Sequence, residues 1–187
     1  RVYLYSEKWD EAISYATSVI NNSTLAYNDD YAAMFNSMNP GVVTIFRLNG
    51  RLRTKKLGEV YSIKDATYVP ADTLMSLFKD PADIRLGLFQ ATQDNATKYL
   101  TKKWTITVPI DGNIEQYDPM VLRASEMYMI RAEASLAKDQ LDLAADDLKV
   151  MIGRALGKAP GDIAINDLSE ENLKRTIIKE RAKEFCF

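Results

Sequence analysis

The sequence has no histidine and a single cysteine, Cys186. Histidine is the usual general base and metal ligand at neutral pH, so its absence excludes a Ser-His or Cys-His nucleophile from these 187 residues. One cysteine excludes an internal disulfide, and packing as a small apolar side chain in a helix explains it. We therefore expect no histidine-dependent catalytic residue, no metal site and no cofactor.

The sequence also has no large excess of positive or negative charge and no long apolar run. The 24 basic and 26 acidic side chains give a net charge of −2, which offers no basic field for nucleic acid. No apolar run approaches the roughly 20 residues of a membrane-spanning helix, and there is no signal or lipidation motif. The chain starts inside a helical pattern and ends without a helix stop signal, so we interpret it as a fragment or a trimmed domain.

Hydrophobic residues make up 47% of the chain, enough for a sizeable core. From Val2 to Asn21 they recur every three or four residues, which predicts one helix, or two helices joined near Ser6–Lys8. The stretch Val42–Leu48 is rich in β-branched and aromatic residues and predicts a strand. Leu100–Val108 alternates apolar and polar residues, which predicts a half-buried strand with Leu100 inward and Lys103 outward.

A helix is predicted from Pro119 to Lys138, and its apolar residues form two opposed stripes at about 100° per residue. Such a helix must pack between two neighbours, with its charged side chains at the seams. The first stripe contains Val121, Ser125, Tyr128, Met129, Ala132 and Leu136. The second stripe contains Met127, Ile130, Ala134 and Ala137.

An internal repeat is indicated on either side of this helix. The apolar residues of the first helical segment align without gaps on those of the segment that starts at Leu141, so that Trp9 matches Leu141 and Ala12 matches Ala144. Small residues after a bulky one are typical of nested helical hairpins. A last helix is predicted after Ser169, its N-cap, and a short one after Asp72 as N-cap up to about Lys79.

The predicted fold is mostly α, with tetratricopeptide-like helical hairpins that form an α-α superhelix and a few short β-strands in the insertions. We expect a single domain fragment over residues 1–187. It divides into a helical repeat (1–22), an insertion of strands and loops (36–118) and a second helical repeat with the C-terminal helix (119–187).

Three motifs resemble the C-terminal half of the SusD/RagB family of nutrient-binding outer membrane lipoproteins of Bacteroidetes. The first is RASEMYMIRAEA from Arg123 to Ala134, and the second is IIKERAKEF from Ile177 to Phe185. The third is DPADIR from Asp80 to Arg85, where Asp83 and Arg85 would fix a turn. The segment EKWDEAISYATSVI, before these motifs, is similar to an earlier helical repeat of the family. Gly153 departs from the family pattern.

The resemblance implies a non-catalytic protein that binds a glycan or other nutrient at the bacterial cell surface. Its implied partners are an oligosaccharide or other nutrient and a SusC-like TonB-dependent transporter. It also implies location at the outer membrane through an N-terminal lipid anchor that is absent from this chain. No other membrane contact and no nucleic acid are expected.

Sugar rings stack on aromatic side chains, so the candidate ligand-binding residues are Tyr61, Tyr68 and Trp104. Tyr99 and Tyr117 are further aromatic candidates, and packing into the core is the alternative for Trp104. A tetratricopeptide-type scaffold that binds proteins and has no small-molecule site is the alternative function. A glycosidase is a third hypothesis, but Glu180 and Glu184 are explained by a solvated, ion-paired helix face.

Overall fold

The computed structural model describes residues 1–35, 43–48, 68–91, 99–103 and 120–186. The helices are α1 (Val2–Tyr5), α2 (Trp9–Ile20), α3 (Asn28–Ala33), α4 (Asp72–Met75), α5 (Ala124–Ala137), α6 (Leu141–Leu156) and α7 (Glu170–Phe185), with 3-10 turns at Ile84–Leu88 and Pro160–Asp162. The strands are β1 (Thr44–Arg47), β2 (Phe89–Ala91), β3 (Tyr99–Thr101) and β4 (Met120–Arg123). The expectation of a mostly helical fold with a few short strands is confirmed.

The chain forms two compact units. The first, which we call the helical unit, combines the two ends of the sequence, Arg1–Leu25 and Arg123–Cys186. The second, the mixed unit, contains the intervening segment Ala26–Leu122. Within the described residues, no helix combines the length and the apolar composition needed to cross a membrane.

Within the helical unit, helix α5 has packed neighbours on two opposite faces. Met129, Ala132 and Leu136 join a core with buried residues of α6 and α7. On the opposite side, Ile130 and Ala134 are buried against α1 and α2. The prediction that both apolar stripes are covered is therefore confirmed for these residues, and Met127 packs at the edge of the second stripe. Two predicted members do not fit, because Ala137 is exposed and Val121 lies in β4, before the helix.

The turns before α2 and α6 have the same backbone conformation. Glu7 and Asp139 occupy matching positions with φ of 56° and 59°, a left-handed conformation that is rare for residues other than glycine. One residue later, the amides of Lys8 and Gln140 each donate to a carbonyl five residues back, in both cases over 2.9 Å. Two hairpins with the same turn and matching apolar faces confirm the internal repeat.

Two predicted helix starts were wrong. The long helix begins at Ala124, because Met120–Arg123 is extended and pairs with β1. Helix α4 ends at Met75, well before Lys79, and Ala71 is its N-cap while Asp72 is its first helical residue. By contrast, Ser169 caps α7 as predicted, since its side chain accepts a hydrogen bond from the backbone N–H of Asn172.

In the mixed unit, β2 and β3 pair antiparallel, with Phe89 opposite Thr101. The predicted alternation placed Leu100 inward, but Thr101 and Lys103 are buried and Leu100 is half-buried. The Lys103 ammonium lies 5.1 Å from the centre of the Phe35 ring, so a cation-π contact accompanies its burial.

The turn at Asp83 and Arg85 is confirmed. The Asp83 carboxylate accepts from the backbone N–H of Arg85 and from its guanidinium, at 3.1 Å and 2.6 Å, and both side chains are buried. The short loop is therefore fixed by one charged pair.

Candidate functional site

The three predicted ligand residues are only partly within the described part of the chain. Tyr68 is described and is 59% exposed. Tyr61 and Trp104 lie outside the described residues, as does Tyr117. Tyr99 is half-buried in β3 opposite Ala91.

The helical unit contains a cleft of about 380 Å³ that the sequence did not indicate. It lies between α1, the start of α2, the end of α5 and one face of α7. Its lining consists of Leu4, Tyr5, Trp9, Glu133, Leu136, Ala137, Glu170, Lys174, Ile177, Ile178 and Arg181. We call it the inter-hairpin cleft.

The floor of the inter-hairpin cleft is apolar and fixed. Leu4, Leu136 and Ile177 are almost fully buried and belong to the two cores of the helical unit. Side chains on its rim are open to solvent: Tyr5 is 78% exposed and Ile178 is 60% exposed. Such a preformed apolar cleft with a few polar groups is typical of small-molecule sites.

The polar lining of the cleft carries charges of both signs. Arg181 Nη1 lies 3.5 Å from Glu133 Oε2, which ties α7 to α5. Lys174 and Glu170 are exposed on α7 and make no ion pair within the described residues. Two cations and two carboxylates cancel, so the cleft attracts neither anions nor cations strongly.

A buried cluster of charges lies where β4, α6 and α7 meet. Glu184 is fully buried, and its carboxylate accepts from Arg123 at 3.2 Å and from Arg154 at 2.5 Å. Glu180 is 5% exposed and pairs with Lys183. The expectation that both glutamates lie on a solvated face was therefore wrong: α7 turns them inward, and buried cations neutralise the charge of Glu184.

A second ion pair joins α5 to α6. The Arg131 guanidinium donates to both carboxylate oxygens of Asp147, at 2.9 Å and 2.7 Å. Burial raises the pKa of Asp147 above its usual value, and the hydrogen bonds from Arg131 offset only part of that rise. The neighbouring Asp146 is exposed, as expected for adjacent residues that diverge on a helix.

These arrangements do not form the machinery of glycoside hydrolysis. That reaction needs two carboxyl groups that face a common substrate, one as an acid and one as a base or nucleophile. Glu184, Asp147 and Asp83 are each held by arginine. Groups of three or more His, Cys, Asp or Glu that could hold a metal are also absent from the residues that the structure describes.

Sequence reasoning missed the inter-hairpin cleft for a clear reason. Its residues come from segments more than a hundred positions apart, and Trp9 was assigned to the apolar face of a helix. One signal was available: α2 starts with the large Trp9, whereas α6 starts with Leu141 at the matching position.

Comparisons with known proteins identify relatives. The model of the SusD family matches residues 89–187. A protein of Bacteroides vulgatus described as sugar binding superposes with a TM-score of 0.77 at 22% identity, covering 98% of this chain. A SusD superfamily protein of Bacteroides thetaiotaomicron gives 0.75 at 21% identity, again over 98% of this chain. A SusD-like carbohydrate binding protein of Bacteroides vulgatus gives 0.75 at 21%, over all of it.

These solved chains are much longer than this one, which spans 43%, 44% and 40% of their respective lengths. No curated protein sequence matches it. The likeness to the solved structures shows the fold, in which α5 packs against α1 and α2 on one side and against α6 and α7 on the other. Since the family model also covers more than half of the residues, from β2 to the end of α7, the chain belongs to the SusD family.

Proposed function

We propose that this chain is part of a non-catalytic protein that binds a glycan or another nutrient at the bacterial surface and delivers it to a SusC-like TonB-dependent transporter. Membership of the SusD family is the observation that carries the proposal. Two solved structures of the same fold are described as binding sugar or carbohydrate. Location at the outer membrane, through a lipid anchor, belongs to the same proposal.

The hydrogen bonds that buried carboxylates accept from arginines support the non-catalytic part of the proposal. A general acid needs a proton to give and a general base needs a free lone pair. Glu184 shares its two oxygens between arginines, and Asp83 is bound by Arg85 on both oxygens. Neither arrangement leaves a carboxylate ready for proton transfer.

Binding is tested by isothermal titration of the chain with maltoheptaose, cellohexaose, xylohexaose and mannohexaose. We expect saturable binding of at least one oligosaccharide without any release of shorter sugars. Tyr68→Ala tests the predicted ligand residue that the structure describes, and the expected result is weaker binding. Hydrolysis of a bound oligosaccharide would contradict the non-catalytic proposal.

The transporter is tested by affinity purification of the full-length protein from membranes of its host. Recovery of a TonB-dependent transporter in stoichiometric amounts is expected. If the partners were soluble proteins and no oligosaccharide bound, the alternative of a protein-interaction scaffold would replace the proposal. Labelling of the full-length protein by palmitate tests the lipid anchor.

A further inference from the structure

We infer that the inter-hairpin cleft is a binding site for a neutral sugar ring, which stacks on the aromatic side chains of its rim. This inference rests on the proposed function and adds a location to it, in the helical unit, whereas Tyr68 belongs to the mixed unit. Three features of the cleft carry the inference, namely its aromatic rim, its balanced polar groups and its size.

The rim presents two aromatic rings at the α1–α2 turn. Tyr5 is the last residue of α1 and Trp9 is the first residue of α2. The Tyr5 ring is largely exposed, while Trp9 is anchored by packing against the second core cluster of the helical unit. Flat apolar surfaces of this kind complement the C–H faces of a pyranose ring, while their polar ends remain in water.

The opposite wall supplies the polar groups. Arg181 and Glu133 lie on this wall as an ion pair, with Arg181 Nη1 3.5 Å from Glu133 Oε2. Lys174 and Glu170 extend the row along α7. Sugar hydroxyls both donate and accept, so a mixed set of cations and carboxylates suits a neutral polyol better than an ion.

The dimensions agree with a sugar ligand. A volume of about 380 Å³ lies within the range of roughly 300–1,000 Å³ found for small-molecule sites. Because the floor residues Leu136 and Ile177 are already packed in the core, the site needs no rearrangement to accept a ring. A preformed site avoids the entropic cost of ordering side chains on binding.

The first test uses the two tryptophans of the chain as local reporters. Trp104→Phe leaves Trp9 as the sole tryptophan, and Trp9→Phe leaves Trp104, with emission excited at a wavelength that tyrosine does not absorb. Each variant is titrated with maltoheptaose, cellohexaose, xylohexaose and mannohexaose. We expect an oligosaccharide that binds the intact chain to change the emission of Trp9 in a saturable way.

The second test changes the rim without touching the core. Tyr5→Ala is expected to weaken binding of that oligosaccharide about tenfold, because one stacking ring is lost. Ala137→Trp fills the cleft from its exposed wall, and loss of binding is expected. Tyr27→Ala removes an exposed tyrosine of the mixed unit and is the matched control, with unchanged affinity. Circular dichroism confirms that each variant is folded.

The outcomes separate this inference from the proposed function. If an oligosaccharide binds with unchanged affinity to Tyr5→Ala and Ala137→Trp, and only Trp104 responds, the cleft is refuted and the proposed function stands. If none of the four oligosaccharides binds the intact chain, the inference fails, and the proposed function is then decided by the affinity purification of the transporter. Weaker binding by the cleft variants but not by Tyr27→Ala, with a response from Trp9, supports both.

Discussion

At the residue scale, the side chains that distinguish this chain are charged groups inside the protein. Glu184 accepts hydrogen bonds from Arg123, on the last residue of β4, and from Arg154, near the end of α6. The Arg123 guanidinium also donates to the backbone carbonyl of Glu184 at 2.9 Å and lies over the Phe185 ring. One carboxylate thus joins three elements that are far apart in sequence.

Replacing this carboxylate tests its role. In Glu184→Gln, the shape is retained but two buried arginines lose their counter-charge, which costs about 3–5 kcal/mol of unfolding free energy. Urea denaturation followed by circular dichroism measures the loss. Glu170→Gln, on the exposed first turn of the same helix, is the control and should change stability by less than about 0.5 kcal/mol. Equal effects of the two variants would contradict this role.

The raised pKa of Asp147 predicts a specific dependence of stability on pH. Because the folded state binds the proton more tightly than the unfolded state, Asp147 adds stability as the pH falls through its folded pKa. This contribution to the free energy of unfolding is complete below the pKa of Asp147 in the unfolded state, and it is lost as the pH rises through the pKa in the folded state. Urea denaturation of wild type and Asp147→Asn is measured between pH 7 and pH 3.5. The free energy of unfolding of wild type, relative to that of the variant, should increase as the pH is lowered. A constant difference would refute the pKa shift.

At the element scale, the end of α6 is fixed by glycine. Gly157 follows the helix with φ of 65°, and its N–H bonds back to Arg154, while the N–H of Lys158 donates to the Gly153 carbonyl at 2.8 Å. A Cβ on Gly153 would lie 2.8 Å from the Lys158 carbonyl oxygen. Gly153 therefore permits this tight helix end.

A pair of substitutions tests the helix end. Gly157→Ala should lower the unfolding free energy by about 1 kcal/mol or more, since alanine is strained at positive φ. Gly161→Ala adds the same methyl group to open space nearby, where no atom lies within 4 Å. It should be close to neutral. Thermal denaturation of both variants measures the difference, and a neutral Gly157→Ala would be inconsistent with the left-handed cap.

The packing of α5 predicts that substitutions at two of its alanines will differ in their effect on stability. Ala134 is fully buried against α1 and α2, whereas Ala137 on the same helix is exposed. Ala134→Leu should destabilise the protein by about 1–3 kcal/mol through overpacking, and Ala137→Leu should have little effect. Chemical denaturation compares the two. Similar stabilities would mean that α2 does not pack closely on α5.

Much of the element structure was predictable because apolar periodicity reports directly on helix faces. Both stripes of α5, the cap at Ser169 and the turn at Asp83 follow from local patterns. The extended segment Met120–Arg123 did not follow, because its conformation depends on pairing with β1, which is remote in sequence. The burial of Lys103 was missed for the same reason, since its cation-π partner Phe35 is also remote.

At the scale of the whole molecule, function was less predictable than fold. The family resemblance came from motifs in β4, α5 and α7, from the turn at Asp83 and Arg85 and from the segment around α2, and those residues mostly build the scaffold. Glu184 and Arg123 of these motifs hold the helical unit together. The inter-hairpin cleft is assembled from α1, α2, α5 and α7, and no local pattern marks such a junction. Aromatic residues alone led to Tyr68, which is exposed but belongs to the mixed unit.

The two-part construction of the helical unit predicts the effect of a deletion. Removal of residues 1–25 would uncover the second stripe of α5, with Ile130 and Ala134 exposed. We expect strong binding of a hydrophobic dye and a broad, non-cooperative thermal transition. A synthetic peptide of residues 1–25 added in trans should reverse both changes. A deletion variant that unfolds as sharply as the intact chain would contradict this architecture.

The same construction sets an order of events during synthesis on the ribosome. The hairpin of α1 and α2 leaves the exit tunnel before the rest of the helical unit, because α5, which covers its alanine face, emerges only after the whole segment Ala26–Leu122 has been made. Glu184 follows later still, in the last turn of α7. A nascent chain that stalls before this point therefore contains Arg123 and Arg154 without the carboxylate of Glu184. Such an incompletely packed intermediate exposes apolar surface, to which chaperones bind.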